Sequence, residues 1–237
     1  YSNELDLITG AAVDAVLIAN PDAYHASTVM AAMAAGKHVL VEKPMCISLA
    51  EADAIISAQA QTGVTVQVGY MRRYAPAFVE ACRLLPELGP VRLARAHAVI
   101  GGNPLFIQGT SRVVRSDDLP AAALLEGKQR RDALIEEAIG PAPDLLRRIY
   151  GLLLGLSSHD LSALRELLGP PRRVLYAAVH HEVYVTAALD YGDFVCHFET
   201  GIDNIPRFDA HLEIYGEEKM LRVQYNTPYV RNLPITL

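Results

Sequence analysis

The chain is 237 residues long, 51% hydrophobic and formally -6 at neutral pH, enough apolar content for one large domain or two small ones. The acidic balance, with no cluster of Lys and Arg interleaved with aromatics, argues against a nucleic-acid partner. No apolar run reaches the roughly 18 residues that span a bilayer and no basic-then-apolar leader opens the sequence, so a cytoplasmic protein with no membrane partner is expected.

Residues 13–19 are a short β-rich run, followed by the turn Asn20-Pro21, an alanine-rich helical stretch over 22–35 and a stop at Gly36. The unit repeats. Residues 39–41 predict a strand, Ser48 with Glu51 forms a capping box that opens a helix, Gly63 closes it, and 64–68 predict a third strand. A β-α-β-α-β run whose strands are apolar on both faces belongs to a parallel sheet covered on both sides, half of a doubly wound α/β fold.

The second strand runs directly into Glu42-Lys43-Pro44. Groups at the carboxyl end of a strand in an open α/β sheet sit in the ligand crevice. Pro44 biases Lys43 toward an extended backbone that keeps its amine at the strand tip. Lys43 is therefore a candidate site residue, set against the plainer reading of a solvated lysine at a strand end. Glu42 either pairs with and orients Lys43 or is a strand-end carboxylate in water. Cys46, Cys82 and Cys196 are too scattered for a disulfide framework or a zinc site and read as buried, reduced thiols.

After a helix from Pro76 to Gly89 the pattern changes to longer, more alternating strands, beginning with 91–100. Residues 101–142 hold Gly, Pro, charges and a short helical piece, and read as a long excursion over the surface or over a site. Residues 143–168 are strongly helical and stop at Gly169-Pro170-Pro171. Strands are predicted over 174–181, 183–191, 194–200, 208–215 and 220–225, with hairpin turns at Tyr191-Gly192-Asp193 and Gly216-Glu217-Glu218 that make the sheet largely antiparallel. The expected division is 1–75 and 76–237, the second part an α+β domain with an open sheet. Alternate residues of 183–189 and 194–198 are expected to build an apolar face too large to stay in water. His97, His180 and His181 fall in strands without a matching carboxylate and read as structural, with no metal site expected.

At this point the ordered motifs resemble the Gfo/Idh/MocA (glucose-fructose oxidoreductase / inositol dehydrogenase) family. Residues 13–16 through Asn20-Pro21 and His25 resemble its fourth strand and the turn under the nicotinamide. Ala35-Gly36-Lys37-His38-Val39-Leu40-Val41-Glu42-Lys43-Pro44 resembles its most distinctive motif, Val68-Gly69-Tyr70-Met71-Arg72-Arg73-Tyr74 with Pro76 its interdomain link, and 159–169 its second-domain active-site helix. The resemblance covers nearly the whole chain apart from 101–142. It implies the carboxyl half of a Rossmann domain followed by a substrate-binding and oligomerisation domain, NAD or NADP as cofactor, and a homodimer or homotetramer paired through the open sheet. Cofactor contacts would come from Asn20, Pro21, His25, Glu42, Lys43 and Pro44, catalysis from Lys43 and His159, and substrate contacts from Tyr70, Arg73 and His159. Arg73 reads more as an anchor than as a ligand.

Three departures accompany the resemblance. No Gly-x-Gly-x-x-Gly follows a strand, so the pyrophosphate loop and the ribose-reading acid are expected in an amino-terminal half not present in this sequence. Gly155 stands where the family usually has an aspartate one helical turn before the histidine, and Met71 where an asparagine is frequent.

The resemblance implies hydride transfer between the nicotinamide and a secondary alcohol or ketone of a sugar, inositol or related polyol. Such a reaction needs a base on the hydroxyl, a contribution of about 10² to 10⁴ in rate. His159 starts near a useful pKa, whereas Lys43 needs burial or a neighbouring cation to reach one. Asp160, about 100° further round the helix, reads as solvent-facing or capping. Two other readings stay open: a non-catalytic ligand sensor on the same fold, or an NAD-using glycosidase that releases sugar without net cofactor turnover.

Overall fold

Alternating apolar and helix-forming segments fold as the periodicity predicts. Helix α1 (Glu4–Gly10) is followed by β1 (Ala15–Ile18), α2 (His25–Ala34), β2 (His38–Val41), α3 (Leu49–Thr62) and β3 (Val66–Val68), in a computed structural model that describes residues 3–10, 12–114, 119–228, 230 and 232–237. The three strands are parallel and lie in sequence order, with Ile18 opposite Val41 and Val41 opposite Val68. Because the strand tips are in register, the segments that leave them, Asn20-Pro21, Glu42-Lys43-Pro44 and Gly69-Tyr70, emerge side by side. Val16, Ile18, Val39 and Val41 pack against Val29 and Met33 of α2 and Ile55 of α3, each such side chain contributing about 1.5–3 kcal/mol when fully buried.

The sheet was expected to be covered on both faces, and it is covered on one. Val29 and Met33 of α2 and Ile55 of α3 share one core with the same strand residues, so the two crossover helices lie on the same side, as crossovers of one hand between strands in sequence order require. On the other side Leu17 and Leu40 stay 67% and 40% exposed.

Ser48 caps α3 as its spacing predicts. Its Oγ accepts the Glu51 N–H at 3.2 Å while the Glu51 carboxylate accepts the N–H groups of Ile47 and Ser48 at 3.0 and 3.3 Å. The Ser48 hydroxyl also donates to Glu137, 3.1 Å away. Ser48→Ala should therefore lower unfolding free energy by about 1–2 kcal/mol, read as a shift of the urea midpoint; an unshifted midpoint would mean the cap is idle.

The chain continues through α4 (Pro76–Leu84), β4 (Leu93–Gly101), α5 (Pro104–Thr110), α6 (Ala121–Ile139), α7 (Asp144–Leu152), a π-helical turn over Leu153–Ser157, and α8 (Ser158–Leu168). Strands β5 (Arg173–His180), β6 (Tyr184–Asp190), β7 (Val195–Asp203), β8 (Phe208–Tyr215) and β9 (Met220–Tyr225) follow. The expected short helical piece of the excursion is thus a helix of 19 residues; residues 115–118 lie outside the described residues. Two compact units result, one of residues 1–70 with 116–150 and the other of 71–115 with 151–237. The second half of the excursion groups with the parallel sheet.

In the second unit the strands lie in the order β5-β6-β7-β4-β8-β9, antiparallel except for β4 against β7. Ala94, Ala96 and Ala98 line the inner face of the central strand, and their small side chains let Phe78 of α4 and Ala163, Leu164 and Leu167 of α8 pack directly onto the sheet. The expected exposed apolar face does not exist. Ala187, Leu189, Cys196 and Phe198 belong to this core, and Val185 is also buried. Period-two alternation puts Thr186, His197 and Glu199 on the opposite face, beside Arg95, His97, His211 and Glu213 of the neighbouring strands. His97 also has the carboxylate partners that the sequence did not reveal: its Nδ1 lies 2.7 Å from Glu199 and its Nε2 3.6 Å from Asp209, with the His211 ring stacked on it at 4.9 Å.

Candidate functional site

In the first unit the tips of β1 and β2 carry the candidate residues, and one buried imidazole joins them. His25, 2% exposed at the start of α2, has Nδ1 2.6 Å from the carbonyl oxygen of Pro44 and Nε2 2.8 Å from that of Asn20. A neutral imidazole has one N–H and donates to one of these carbonyls at a time; only the imidazolium donates to both. Either way both ring nitrogens face main-chain oxygens, so His25 acts by holding the Asn20 and Pro44 turns together.

Asn20 donates from Nδ2 to the Thr28 hydroxyl at 2.9 Å, and Thr28 donates to the carbonyl of Tyr24 at 2.9 Å. The Oδ1 of Asn20 is buried and accepts no hydrogen bond among the described residues. Asn20 lines a pocket together with Ile18, Thr28 and Leu7.

The Glu42 carboxylate accepts the Lys43 backbone N–H at 3.3 Å. It lies beside Gly69, where a Cβ would meet Oε1 at 3.4 Å, an ordinary van der Waals contact. The Lys43–Pro44 peptide bond is cis. Tyr70 follows, its N–H donating to the carbonyl of Val68 at 2.7 Å. Cys46, in the same loop as Lys43, is no nucleophile: burial, and secondarily the charge of Glu51, push its thiol up to about 11.

The second unit holds the other candidates. His159, in the first turn of α8, is 7% exposed, and its carbonyl accepts the Ser162 hydroxyl at 3.0 Å. Asp160 is 1% exposed, which overturns the solvent-facing reading. It forms an ion pair with Arg72, itself 3% exposed, and the Arg72 guanidinium lies over the rings of Tyr225 and Phe208 at 4.8 and 5.9 Å. Arg73 instead pairs with Glu166 near the surface, an α8 anchor. Sequence reasoning missed Arg72 and Asp160, although a signal existed. Asp160, Ala163, Leu164 and Leu167 fall at i, i+3, i+4 and i+7, the buried stripe of an amphipathic helix.

Gly155 sits within the π-turn, whose end is fixed by the Ser157 hydroxyl donating to Thr200 at 2.9 Å, both buried. A Cβ built on Gly155 meets nothing within 4 Å. Single π-turns inside α-helices recur at functional sites. The i+4 relation between 155 and 159 assumed from an α-helix is also altered by it, because the turn spreads its hydrogen bonds to i+5.

No group of three or more metal-ligating side chains forms among the described residues, and no described helix is long and apolar enough to cross a membrane.

Comparison with known proteins adds three findings. Residues 1–70 match the Gfo/Idh/MocA family, described as an oxidoreductase family with an NAD-binding Rossmann fold. The chain is 28% identical over 227 residues to the oxidoreductase YrbE of Bacillus subtilis, covering 91% of this chain and 56% of that protein. It is 26% identical over 230 residues to the myo-inositol 2-dehydrogenase of Thermotoga maritima, covering 92% and 58%. The fold superposes on the scyllo-inositol dehydrogenase of Lactobacillus casei, solved with bound NAD(H) and scyllo-inositol, with a TM-score of 0.67 at 21% identity, covering 94% of this chain and 60% of that one. The chain thus spans little more than half the length of the curated relatives it matches along most of its own length.

Proposed function

We propose that this chain, which belongs to the Gfo/Idh/MocA family of oxidoreductases, is part of an NAD(P)-dependent dehydrogenase that oxidises a secondary alcohol of an inositol, sugar or related polyol. The observation that carries the reading is the convergence of Asn20 and Glu42-Lys43-Pro44 on adjacent parallel strand tips, joined through His25. Those tips are the end of an open α/β sheet at which ligands bind. The buried Oδ1 of Asn20 fits a nicotinamide, since a carboxamide N–H is a donor that would satisfy it. When bound, the nicotinamide supplies the hydride acceptor or donor.

The chain's own residues bind, orient and move a proton. Asn20, Pro21, Glu42 and Pro44 would hold the cofactor, with His25 fixing the two turns that carry them. Lys43 would take the proton of the substrate hydroxyl at its amine, and His159 would share that transfer. Tyr70 and Arg73 would contact substrate, Arg73 only by exchanging part of its pairing with Glu166. The polyol class is supported by relatives named as inositol dehydrogenases. The test is titration of the full-length protein with NADH and NADPH followed through dinucleotide fluorescence, then assay with myo- and scyllo-inositol. Binding with turnover supports the dehydrogenase; binding without turnover on any polyol favours a ligand sensor; no binding removes the reading.

Gly155 gives this proposal a gain-of-contact test. Open space around its Cβ position predicts that Gly155→Asp folds. The variant should change the KM for polyol while leaving dinucleotide affinity as it was. Unchanged polyol kinetics would separate position 155 from substrate.

A further inference from the structure

Resting on that reading, we propose that the α6–α7 segment is a strap that fixes both candidate cofactor turns, with Arg130 and Arg131 as positioning residues for the dinucleotide. The 3-10 turn Asp22–Tyr24 directly follows Asn20-Pro21, and α6 grips each of its three residues. Arg131 Nε lies 3.2 Å from both carboxylate oxygens of Asp22. Arg130 donates from Nε to the carbonyl of Ala23 at 2.7 Å and from Nη2 to the Ser27 hydroxyl at 3.0 Å, with its guanidinium 4.7 Å from the ring centre of Tyr24.

The same segment reaches the other turn. The Tyr150 hydroxyl donates to the carbonyl of Ile47 at 2.6 Å, and Glu137 accepts from Ser48 at 3.1 Å. Arg147, which donates to the carbonyl of Asp132 at 2.8 Å, ties α7 back to α6. Together with the His25 bridge, the two turns are thus held from within and from outside.

Magnitudes favour positioning over stability. The Arg131–Asp22 side chains are 37% and 23% exposed, and pairs of that kind contribute roughly 0–1 kcal/mol. Ordering a loop residue costs about 1–2 kcal/mol of backbone entropy, a cost that a ligand bears unless the loop is held beforehand. A strap that does little for the global fold can still do much for binding.

The test uses the full-length protein with Arg130→Ala/Arg131→Ala, NADH and NADPH as probes, and hydrogen exchange of residues 20–28 and 42–48. Expected are a dinucleotide Kd raised at least about fivefold, faster exchange in both segments and a thermal midpoint near the parent's. The pair Asp22→Arg/Arg131→Asp should recover the affinity lost by Arg131→Asp alone. Loss of folded protein without a change in Kd would mark the contacts as merely structural, and unchanged Kd with unchanged exchange would overturn the strap. Should the double variant fail to fold, Arg131→Lys, which keeps the charge and loses the fork, replaces it with the same readouts. If the parent binds neither dinucleotide, the functional reading fails, and unchanged exchange at the two turns would then overturn the strap separately.

Discussion

On the proposed function, Lys43→Ala should lower turnover of the full-length protein by at least about 10², the loss typical of removing a positioned acid-base group. Lys43 follows the tip of β2, its backbone N–H held by the Glu42 carboxylate and its peptide bond to Pro44 cis. Glu42 engages the Lys43 N–H, and the His25 bridge holds the Pro44 carbonyl, so truncating the side chain at residue 43 leaves the turn's own bonds intact. The expected signature is a fall in kcat larger than the rise in dinucleotide Kd. Because an amine must shed its proton to act as a base, residual activity of Lys43→Arg should be as low as that of the alanine variant, arginine being protonated throughout. Full activity in either variant would remove Lys43 from the chemistry.

Arg72→Ala should destabilise the second unit by about 3–5 kcal/mol, since it leaves the Asp160 carboxylate buried without its counter-charge. Burial pushes the Asp160 carboxyl up, and the Arg72 charge opposes that rise. A carboxyl whose folded-state pKa is raised favours the fold in its protonated form. That contribution is complete below the ordinary aspartate value and is lost as pH rises through the raised value. Without Arg72 the rise is larger, so the variant should be most stable in acid and lose stability upward from the ordinary aspartate range, more steeply than the parent. One Asp160 oxygen and the Tyr225 hydroxyl lack hydrogen-bond partners among the described residues, and a neutral hydroxyl does not replace the charge that Arg72 supplies. Arg72→Met/Asp160→Leu, which removes both charges, should be more stable than either single variant. A chemical denaturation series across pH checks both signs; equal loss at all pH values would contradict the linkage.

Most of the strands, the capping box at Ser48 and the break at Gly169 are local signals, and they were legible because each depends on residues adjacent in sequence. What the sequence left open were matters of facing. Alternation in 183–189 marks two faces but does not say which one meets the helices, and Ala94, Ala96 and Ala98 decide that from a strand almost a hundred residues away. Coverage of the parallel sheet was overread because apolar strands do not reveal on which side their crossovers fall. Asp160 was misread by considering its angle to His159 alone, when its buried partner Arg72 lies 88 residues earlier. The long α6 was read as a short piece because it opens on Pro120 without a side-chain cap and carries Gly127 in its interior. The candidate residues of the strand tips were visible as a motif, whereas the contacts that hold them, from His25 to Pro44 and from Arg130 to Ala23, join segments far apart in sequence.

The most direct measurement is transfer of label. The full-length protein would be incubated with NAD or NADP and a polyol carrying deuterium on its carbinol carbons, and the recovered dinucleotide analysed by mass spectrometry. The account predicts deuterium on the nicotinamide ring with myo-inositol, scyllo-inositol or a related polyol, and a rate that collapses in Lys43→Ala. A dinucleotide that binds and is recovered unlabelled with every polyol would contradict it.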